Sequence, residues 1–216
     1  MFPLAPDSNK QLLNPKSFIP LCRLTLTKYN KYMFKRLGAF FLDIGEVLVF
    51  AIGIFFFVYL LIMRPHKISG VSMSPNYPDS EYLLTEKVSY YKSPPQRGDI
   101  VVFTPPVSSD DYIKRIIAVP GENVSIKDGK VYINSELLKE DYLASDIYTQ
   151  SGSFLQEGQN YKVQESEFFV MGDNRSHSYD SRSFGPIKKN VISGKAWVIY
   201  WPVGLAGAVS SPNYNY

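Results

Sequence analysis

One uncharged apolar run restricts the fold of this chain more than any other feature. Residues 47–63 read VLVFAIGIFFFVYLLIM and contain no charged side chain. About 17 residues of helix extend roughly 26 Å, close to the thickness of the hydrocarbon core of a bilayer. A helix in a soluble protein would carry a polar face, and this run has none. The run therefore predicts a transmembrane helix.

The flanking residues predict an uncleaved anchor and its orientation. Residues 64–67 read RPHK and lack the small-residue cleavage site of a removable signal peptide. Asp43 and Glu46 lie just before the run, where we expect them at the membrane interface or facing a protein partner. Basic residues dominate the segment before the anchor, namely Lys10, Lys16, Arg23, Lys28, Lys31, Lys35 and Arg36. The positive-inside rule then places the N-terminus in the cytoplasm and the rest of the chain across a plasma membrane.

The residues after the anchor read as a mainly β domain. Residues 82–88, 99–103, 113–119 and 195–201 are short apolar runs bounded by turn signals. Asp128-Gly129 separates two further short runs and is a strong hairpin signal. We therefore expect a fold that is mainly β, with a single N-terminal transmembrane helix followed by an antiparallel β-sheet domain.

Changes in composition along the chain predict its domain boundaries. We expect a poorly ordered basic cytoplasmic tail at 1–36 and an anchor helix at 37–66. A β-rich extracytoplasmic domain follows at 67–203, with 122–166 as a hairpin and irregular insertion. The small, polar residues at 204–216 predict a frayed C-terminal tail.

Charge and cysteine content limit the partners and cofactors. A formal net charge of +3 over 216 residues gives no reason to expect a nucleic-acid partner. The single cysteine, Cys22, excludes an internal disulfide. His66 and His177 are the two histidines, and no Cys/His cluster has metal-ligand spacing. We therefore expect no metal and no cofactor.

Three segments together supply the parts of a serine–lysine hydrolase. Residues 172–185 crowd charged and hydroxyl side chains directly behind the apolar run 168–171, at the edge of the expected core. Residues 69–75 offer a hydroxyl at Ser72, and residues 112–121 offer an amine at Lys114. Each is weak alone, because Ser72 by itself reads as a turn serine and Lys114 as an ordinary edge-strand lysine.

The chemistry requires an uncharged lysine. A serine hydroxyl is a weak nucleophile and needs a base within hydrogen-bond reach. Because an ordinary lysine has a pKa of about 10.4, a base that works near pH 7–8 needs it lowered by about 2–3 units. Burial can lower it, and Lys114 sits between Ile113 and Ile116 on a strand that reads as buried. Strand alternation points Arg115 to the opposite face, where we expect it to stay solvated.

The ordered motifs resemble those of the type I signal peptidases, membrane-bound serine–lysine proteases that cut signal peptides from exported proteins. The resemblance runs from about residue 41 to about residue 202. The motifs that carry it are SGVSMSP at 69–75, RGDIVVF at 97–103, YIKR at 112–115, Pro120-Gly121 and residues 172–182. Such a set behind a membrane anchor is specific, whereas a lone Ser-Met or Lys-Arg pair would be weak evidence.

The resemblance implies a role for each matching residue. Ser72 matches the nucleophile and Lys114 the general base. Ser178 matches a hydroxyl that orients the lysine. Three further matches imply polar residues that brace the site, namely Asp173, Asp180 and Arg182, the last two as an ion pair.

Two positions depart from the family pattern. The backbone N–H of Ser72 is implied as an oxyanion donor, and some family members add a serine hydroxyl two residues earlier. That position is Gly70 here, so the side-chain donor in this region is missing. One missing donor can cost about 3 kcal/mol of transition-state stabilisation. The second departure is Asn76, where threonine is usual.

The resemblance also implies the substrate and its binding surface. Small residues are expected at the P1 and P3 positions of signal peptides from secretory pre-proteins. Shallow apolar pockets beside Met73, Tyr112 and Ile113 would enforce this choice by excluding larger side chains. The lipid bilayer is the other expected partner, because a shared membrane raises the effective concentration of tethered substrates.

Three other readings of the sequence stay open. The first is a Ser–His hydrolase that uses His177 or His66, although a solvated loop or interfacial histidine explains each. The second is a self-cleaving repressor protease, which would carry a DNA-binding domain in place of the anchor. The third is a membrane-anchored β module that binds peptides without cutting them. Alanine variants of Ser72 and Lys114 separate binding from cleavage.

Overall fold

A computed structural model describes residues 19–106, 108–144, 147–212 and 214 of the chain. Residues 1–18 of the predicted cytoplasmic tail lie outside this part. So do residues 213, 215 and 216 of the predicted C-terminal tail. The described chain contains two compact units, which divide after Phe56.

The first unit consists of most of a long helix, α1, at Ile19–Ile62. Its stretch Tyr29–Tyr59 is long and apolar enough to cross a membrane. The helix begins well before Leu37, where the sequence predicts the anchor to start. Pro20 lies in the first turn, where its missing N–H costs no helical hydrogen bond. The helix ends shortly before Pro65, since a proline disfavours helical backbone in the residue before it.

The second unit is built on antiparallel strands in two sheets, as the sequence predicts. The larger sheet has eight strands in the order β1-β2-β11-β3-β4-β9-β10, with β12 paired to β11. Their bounds are Met63–Lys67 (β1), Tyr82–Glu86 (β2), Ile100–Phe103 (β3), Tyr112–Ala118 (β4), Glu167–Met171 (β9), Ile187–Lys188 (β10), Ile192–Trp201 (β11) and Gly207–Ala208 (β12). The mainly β fold class is therefore confirmed.

A smaller sheet lies within the predicted insertion. Its four strands run in the order β7-β6-β5-β8, with bounds Asn123–Lys127 (β5), Lys130–Ile133 (β6), Glu136–Leu137 (β7) and Asn160–Lys162 (β8). Asp128 and Gly129 form the turn between β5 and β6 with φ of 51° and 72°. Positive φ at both central residues is the requirement of a tight hairpin turn, which explains the Asp-Gly pair.

The second unit also contains short helices between its strands. The α-helices are Ser89–Lys92 (α2) and Ser181–Phe184 (α3), and 3-10 turns occupy Lys189–Val191 and Val203–Leu205. In α3, Asp180 is the N-cap, and its side chain accepts a hydrogen bond from the backbone N–H of Arg182. A side-chain acceptor at this position satisfies a helix N–H that would otherwise lack a partner.

The described residues after Gly204 differ from the predicted frayed tail. Gly207–Ala208 form β12 and pair with β11 at Val198 and Ile199. The N–H of Val209 then donates to the carbonyl of Trp197. Strand β3 pairs with β11 only between Ile192 and Lys195. The part of β11 beyond Lys195 is therefore available to pair with β12. Backbone pairing, which composition does not reveal, therefore orders this segment.

The core beneath the central strands positions the polar segments of the second unit. Strand β4 is buried along almost its whole length, on both faces. One apolar cluster brings the end of β1 and the turn after it against β2, β3 and β4, through Ile68, Met73, Leu83, Val102 and Ile113. The turn at Ser72 is therefore packed against the middle of the large sheet.

Candidate active site

Ser72 lies in a tight turn between β1 and β2. The N–H of Ser74 donates to the carbonyl of Val71, and the N–H of Tyr77 donates to the carbonyl of Met73. Met73 is fully buried and fixes the turn to the core. Asn174 holds the turn from outside, because its N–H donates to the Ser72 carbonyl at 3.0 Å and its Nδ2 donates to the Val71 carbonyl at 3.0 Å. The Ser72 hydroxyl is thus carried on a constrained backbone.

Lys114 meets this hydroxyl from strand β4. Its side chain is 4% exposed, and its Nζ lies 2.8 Å from the Oγ of Ser72. The same Nζ donates to the carbonyl of Ile113 at 2.9 Å. The strand lies between β3 and β9 in the middle of the sheet, so the backbone that carries the amine is paired on both edges. The structure therefore brings together the predicted nucleophile and the predicted base.

Burial changes the proton affinity of this amine. The removal of water from Lys114 disfavours the ammonium and lowers its pKa from 10.5 to about 8. The carboxylates of Asp180 and Asp173 oppose this shift, and the guanidinium of Arg182 adds to it. Because burial outweighs both carboxylates, a substantial fraction of the amine is uncharged at pH 8, which is the form that can accept a proton.

Ser178, the predicted orienting hydroxyl, lies next to Gly172. A Cβ at Gly172 would overlap both the Oγ of Ser178 and the carbonyl oxygen of Ser72. This glycine therefore allows three segments to meet at the site. The Ser178 Oγ is buried and has no hydrogen-bond partner among the described residues. Its predicted contact with the lysine thus stays a prediction.

Asp180 and Arg182 form a buried ion pair. The Nη2 of Arg182 lies 2.8 Å from Oδ2 of Asp180, and its Nε lies 2.8 Å from Oδ1. Asp180 also accepts the N–H of Gly172 at 3.0 Å, which connects the pair to the end of β9. The guanidinium also reaches the carbonyls of Gln150 and Ser178. The pair thus connects α3 to the segment after β9, which lies beside Ser72.

Asp173 binds Arg115, the residue next to the predicted base. The expectation that Arg115 stays solvated is wrong, since it is 2% exposed. Its Nε and Nη2 lie 2.8 and 2.6 Å from the two carboxylate oxygens of Asp173. Its Nη1 donates to the carbonyl of Gly98 at 3.1 Å. Alternation does place Arg115 opposite Lys114, but protein rather than solvent covers that face of β4.

Two residues of this cluster were not assigned roles from the sequence. The Nδ2 of Asn76 donates to Oδ2 of Asp173 at 2.8 Å and to the carbonyl of Tyr142 at 2.9 Å. The ring of Tyr142 stacks 4.0 Å from the guanidinium of Arg115. The departure from threonine at Asn76 was a signal for the first residue. Tyr142 lies in the irregular insertion, where no sequence pattern marked it.

A cavity of about 310 Å³ opens beside Ser72 and Lys114. Ser72, Lys114, Tyr112 and Ile113 line it, so the predicted pocket residues of strand β4 lie at its wall. Met73 does not line it and instead packs in the cluster behind the wall. Further lining residues come from several segments, namely His66, Lys67, Ile68, Ser69, Leu83, Val102, Asp110, Asp111 and Tyr179. The cavity therefore has an apolar floor and a charged rim.

Gly70 and the two histidines make other contacts near the site. Gly70 has a φ of 94°, and its N–H donates to Oδ1 of Asp79 at 2.7 Å, so this amide is already bound. His177 is exposed, and its Nδ1 lies 2.9 Å from the Oγ of Ser176. His66 lines the cavity, and its Nδ1 lies 3.4 Å from Asp111. The side chain of Ser72 is hydrogen-bonded to Lys114 and to neither histidine.

Comparison with known proteins identifies the family. The model of the family "Signal peptidase, peptidase S26" matches residues 41–201. Signal peptidase I of Leptolyngbya laminosa is 38% identical over 78% of this chain and 82% of its own length. Signal peptidase I of Bacillus amyloliquefaciens is 33% identical over 78% of this chain and 89% of its own length. A crystal structure of a signal peptidase I from Enterococcus faecalis V583 is 32% identical and has a TM-score of 0.39, with 48% of this chain and 97% of that chain covered. The chain therefore belongs to the signal peptidase family, peptidase S26, and is a serine peptidase of the signal peptidase I type, whose function is to remove signal peptides from exported proteins.

Proposed function

We propose that the chain is a membrane-bound endopeptidase that cuts signal peptides with a Ser72–Lys114 dyad. The observation that carries this proposal is the 2.8 Å separation of the Lys114 Nζ from the Ser72 Oγ, at an amine whose pKa burial lowers to about 8. Both features meet the requirements of a nucleophile and its general base.

The reaction proceeds through an acyl-enzyme. Uncharged Lys114 takes the proton of the Ser72 hydroxyl while Oγ attacks the scissile carbonyl. The resulting ammonium then gives that proton to the leaving amine of the mature protein, which breaks the peptide bond. In the second half, Lys114 takes a proton from water, the water oxygen attacks the ester, and Ser72 recovers its proton. The backbone N–H of Ser72 stabilises the oxyanion in both halves.

The cavity supports a preference for small residues at P1 and P3. Ile68, Leu83, Val102 and Ile113 offer apolar side chains next to the dyad, within about 310 Å³. Burial of a small apolar side chain against such walls is favourable, whereas a charged side chain would lose its hydration there. Alanine at P1 and P3 fits this apolar lining.

The anchor helix supports a single-pass topology with a cytoplasmic N-terminus. Basic residues are concentrated before the helix, including Lys28, Lys31, Lys35 and Arg36. Protease treatment of sealed, right-side-out membrane vesicles tests this topology. We expect the β domain to be digested and the N-terminal segment to be protected. Digestion of the N-terminal segment alone would reverse the assignment.

The dyad is tested by alanine variants of the full chain in detergent, with a pre-protein that carries an Ala-x-Ala site. Ser72→Ala and Lys114→Ala should each abolish cleavage, and Ser72→Ala should still bind the pre-protein. Ser151→Ala and Lys139→Ala, at exposed positions, are the matched controls and should cleave normally. Full activity in either dyad variant would refute the assignment.

A further inference from the structure

We propose that Tyr142 is a positioning residue for the Ser72–Lys114 dyad, because its ring and its backbone carbonyl contact the two segments that carry these residues. The proposal rests on the proposed function in one respect, namely that Ser72 and Lys114 are the reacting groups. Tyr142 itself belongs to the insertion and touches neither of them.

The first connection is the contact of the Tyr142 ring with Arg115. The guanidinium lies 4.0 Å from the ring centroid and is 2% exposed, so the contact is shielded from water. Desolvated cation–π contacts are the strong ones. Asp173 and the Gly98 carbonyl hold the edges of the same guanidinium. Arg115 is therefore fixed on its face and on its edges, and it is the next residue to Lys114 on β4.

The second connection runs from the backbone of Tyr142 to the nucleophile turn. The carbonyl of Tyr142 accepts the Nδ2 of Asn76 at 2.9 Å, and the same amide donates to Asp173 at 2.8 Å. Asn76 lies at the end of the turn that begins before Ser72. One residue of the insertion thus contacts both the base strand, through Arg115, and the nucleophile turn, through Asn76.

Tyr142 is itself held in place by a buried arginine. Its hydroxyl donates to Oε1 of Glu140 at 2.7 Å and accepts Nη2 of Arg175 at 3.2 Å. Arg175 also pairs with Glu140 and donates to Oγ1 of Thr149 at 2.8 Å. Burial raises the pKa of Tyr142 well above its ordinary value, so the hydroxyl remains a donor throughout the working range of pH. Glu140, Tyr142 and Thr149 are therefore joined to the segment after β9.

Loss of the ring should loosen β4 against the nucleophile turn. A small misplacement of reacting groups can lower turnover by about 100-fold. A nucleophile turn displaced from β4 should also admit water to Lys114 and move its pKa back toward 10.5, so that the acidic limb of the pH–rate profile shifts to higher pH. The charged and titratable groups around Lys114 are Asp173, Asp180 and Arg182, with His66, Lys67, Asp110, Asp111, Tyr112 and Tyr179 around the cavity. All of them remain in a Tyr142 variant.

The test uses the full chain in detergent with three single variants. Tyr142→Leu removes the ring contact, and Tyr142→Phe keeps the ring and the backbone carbonyl while it loses the hydroxyl. Tyr148→Leu is the matched control, because Tyr148 is an exposed tyrosine of the same insertion. We expect Tyr142→Leu to lower kcat by about tenfold to 100-fold with little change in KM. The acidic limb of its pH–rate profile should move to higher pH by about half a pH unit or more. Tyr148→Leu should keep the wild-type acidic limb, and Tyr142→Phe, which retains the ring on Arg115, should lie closer to the wild type than Tyr142→Leu does.

Asn76→Ala provides an independent route to the same answer if Tyr142→Leu does not fold. This variant removes the amide contact with Tyr142. It should also lower kcat and move the acidic limb of the pH–rate profile to higher pH. In the double variant the two losses should be less than additive, because both variants loosen the same Arg115–Asp173 pair, which the Tyr142 ring stacks on and the Asn76 amide donates to. The proposal would be overturned if Tyr142→Leu kept both the wild-type acidic limb and the wild-type kcat per folded molecule. It would also be overturned if the losses of kcat in the two single variants were fully additive in the double variant. Cleavage by Ser72→Ala would instead refute the proposed dyad, so the two failures are distinct.

Discussion

Arg115 and Asp173 form a two-point ion pair whose Nε–Oδ1 and Nη2–Oδ2 distances are 2.8 and 2.6 Å, with both side chains buried. Arg115 follows the predicted base, and Asp173 follows Gly172 at the end of β9. The pair therefore joins β4, which carries the predicted base, to the segment that follows β9.

Breaking this pair from one side should destabilise the fold. Asp173→Asn leaves the guanidinium of Arg115 buried without a counter-charge, which typically costs about 3–5 kcal/mol of unfolding free energy. Denaturant unfolding in detergent, followed by the fluorescence of Trp197 and Trp201, measures the change. The control is Asp141→Asn in the exposed pair with Lys139, where we expect a loss of less than about 1 kcal/mol. Equal losses in the two variants would contradict the structural role of the buried pair.

Gly172 should tolerate no side chain. Alanine at this position would place a methyl group against the Ser178 Oγ and the Ser72 carbonyl, so the nucleophile turn must move. We expect Gly172→Ala to reduce kcat by about 100-fold or more. Gly204→Ala, where an added Cβ meets no atom within 4 Å, is the control and should cleave normally. Wild-type turnover in Gly172→Ala would mean that the three segments are less closely packed than described.

The buried lysine should make stability depend on pH. The folded-state pKa of Lys114 is about 8 and its ordinary value is 10.5, so between these values the unfolded chain binds a proton that the folded chain does not. The free energy of unfolding should therefore rise as pH increases through this window. The penalty below pH 8 is up to about 3 kcal/mol.

Lys114→Met should remove this component. Between pH 7 and 10.5, the unfolding free energy of the wild type should rise relative to that of Lys114→Met as the pH increases. Lys139→Met, at an exposed position, is the control and should run parallel to the wild type. A constant difference between wild type and Lys114→Met across the window would show that the amine is not buried as described.

Ser178→Ala separates a functional hydroxyl from a structural one. The Oγ is buried and has no partner among the described residues, so its removal should leave the unfolding free energy unchanged or slightly higher. If the hydroxyl orients Lys114 during the reaction, kcat should fall by about tenfold to 100-fold. Parallel measurements of kcat and of denaturant unfolding test this pair of outcomes. Unchanged kcat would refute the orienting role.

The β architecture and the pairing of Ser72 with Lys114 could be predicted because their signals are local or ordered along the chain. Apolar runs bounded by turn residues mark β3, β4 and β11, and Asp128-Gly129 marks the hairpin. The proposed dyad follows from three motifs in sequence order and from their resemblance to those of the type I signal peptidases. None of these inferences requires knowledge of which surfaces pack together.

The features that were missed depend on packing between distant segments. Arg115 was expected in solvent because alternation gives the face of a residue but not what covers that face. Tyr142 and Arg175 meet across 33 residues of sequence, and Tyr142 lies in a polar insertion without regular periodicity. Strand β12 forms because an edge of β11 is free. Such contacts follow from the tertiary fold and leave no pattern in a single sequence.

The central claim is that an uncharged Lys114 accepts the proton of Ser72, and the pH dependence of kcat/KM tests it most directly. The full chain in detergent should be assayed on an Ala-x-Ala peptide from pH 5 to 11, since the acidic limb reports the free enzyme's essential base. We predict a limb at a pKa of about 8, the value to which burial lowers the amine. A limb near 6.5, typical of an unperturbed histidine, or one above 10, typical of a solvated lysine, would contradict the account.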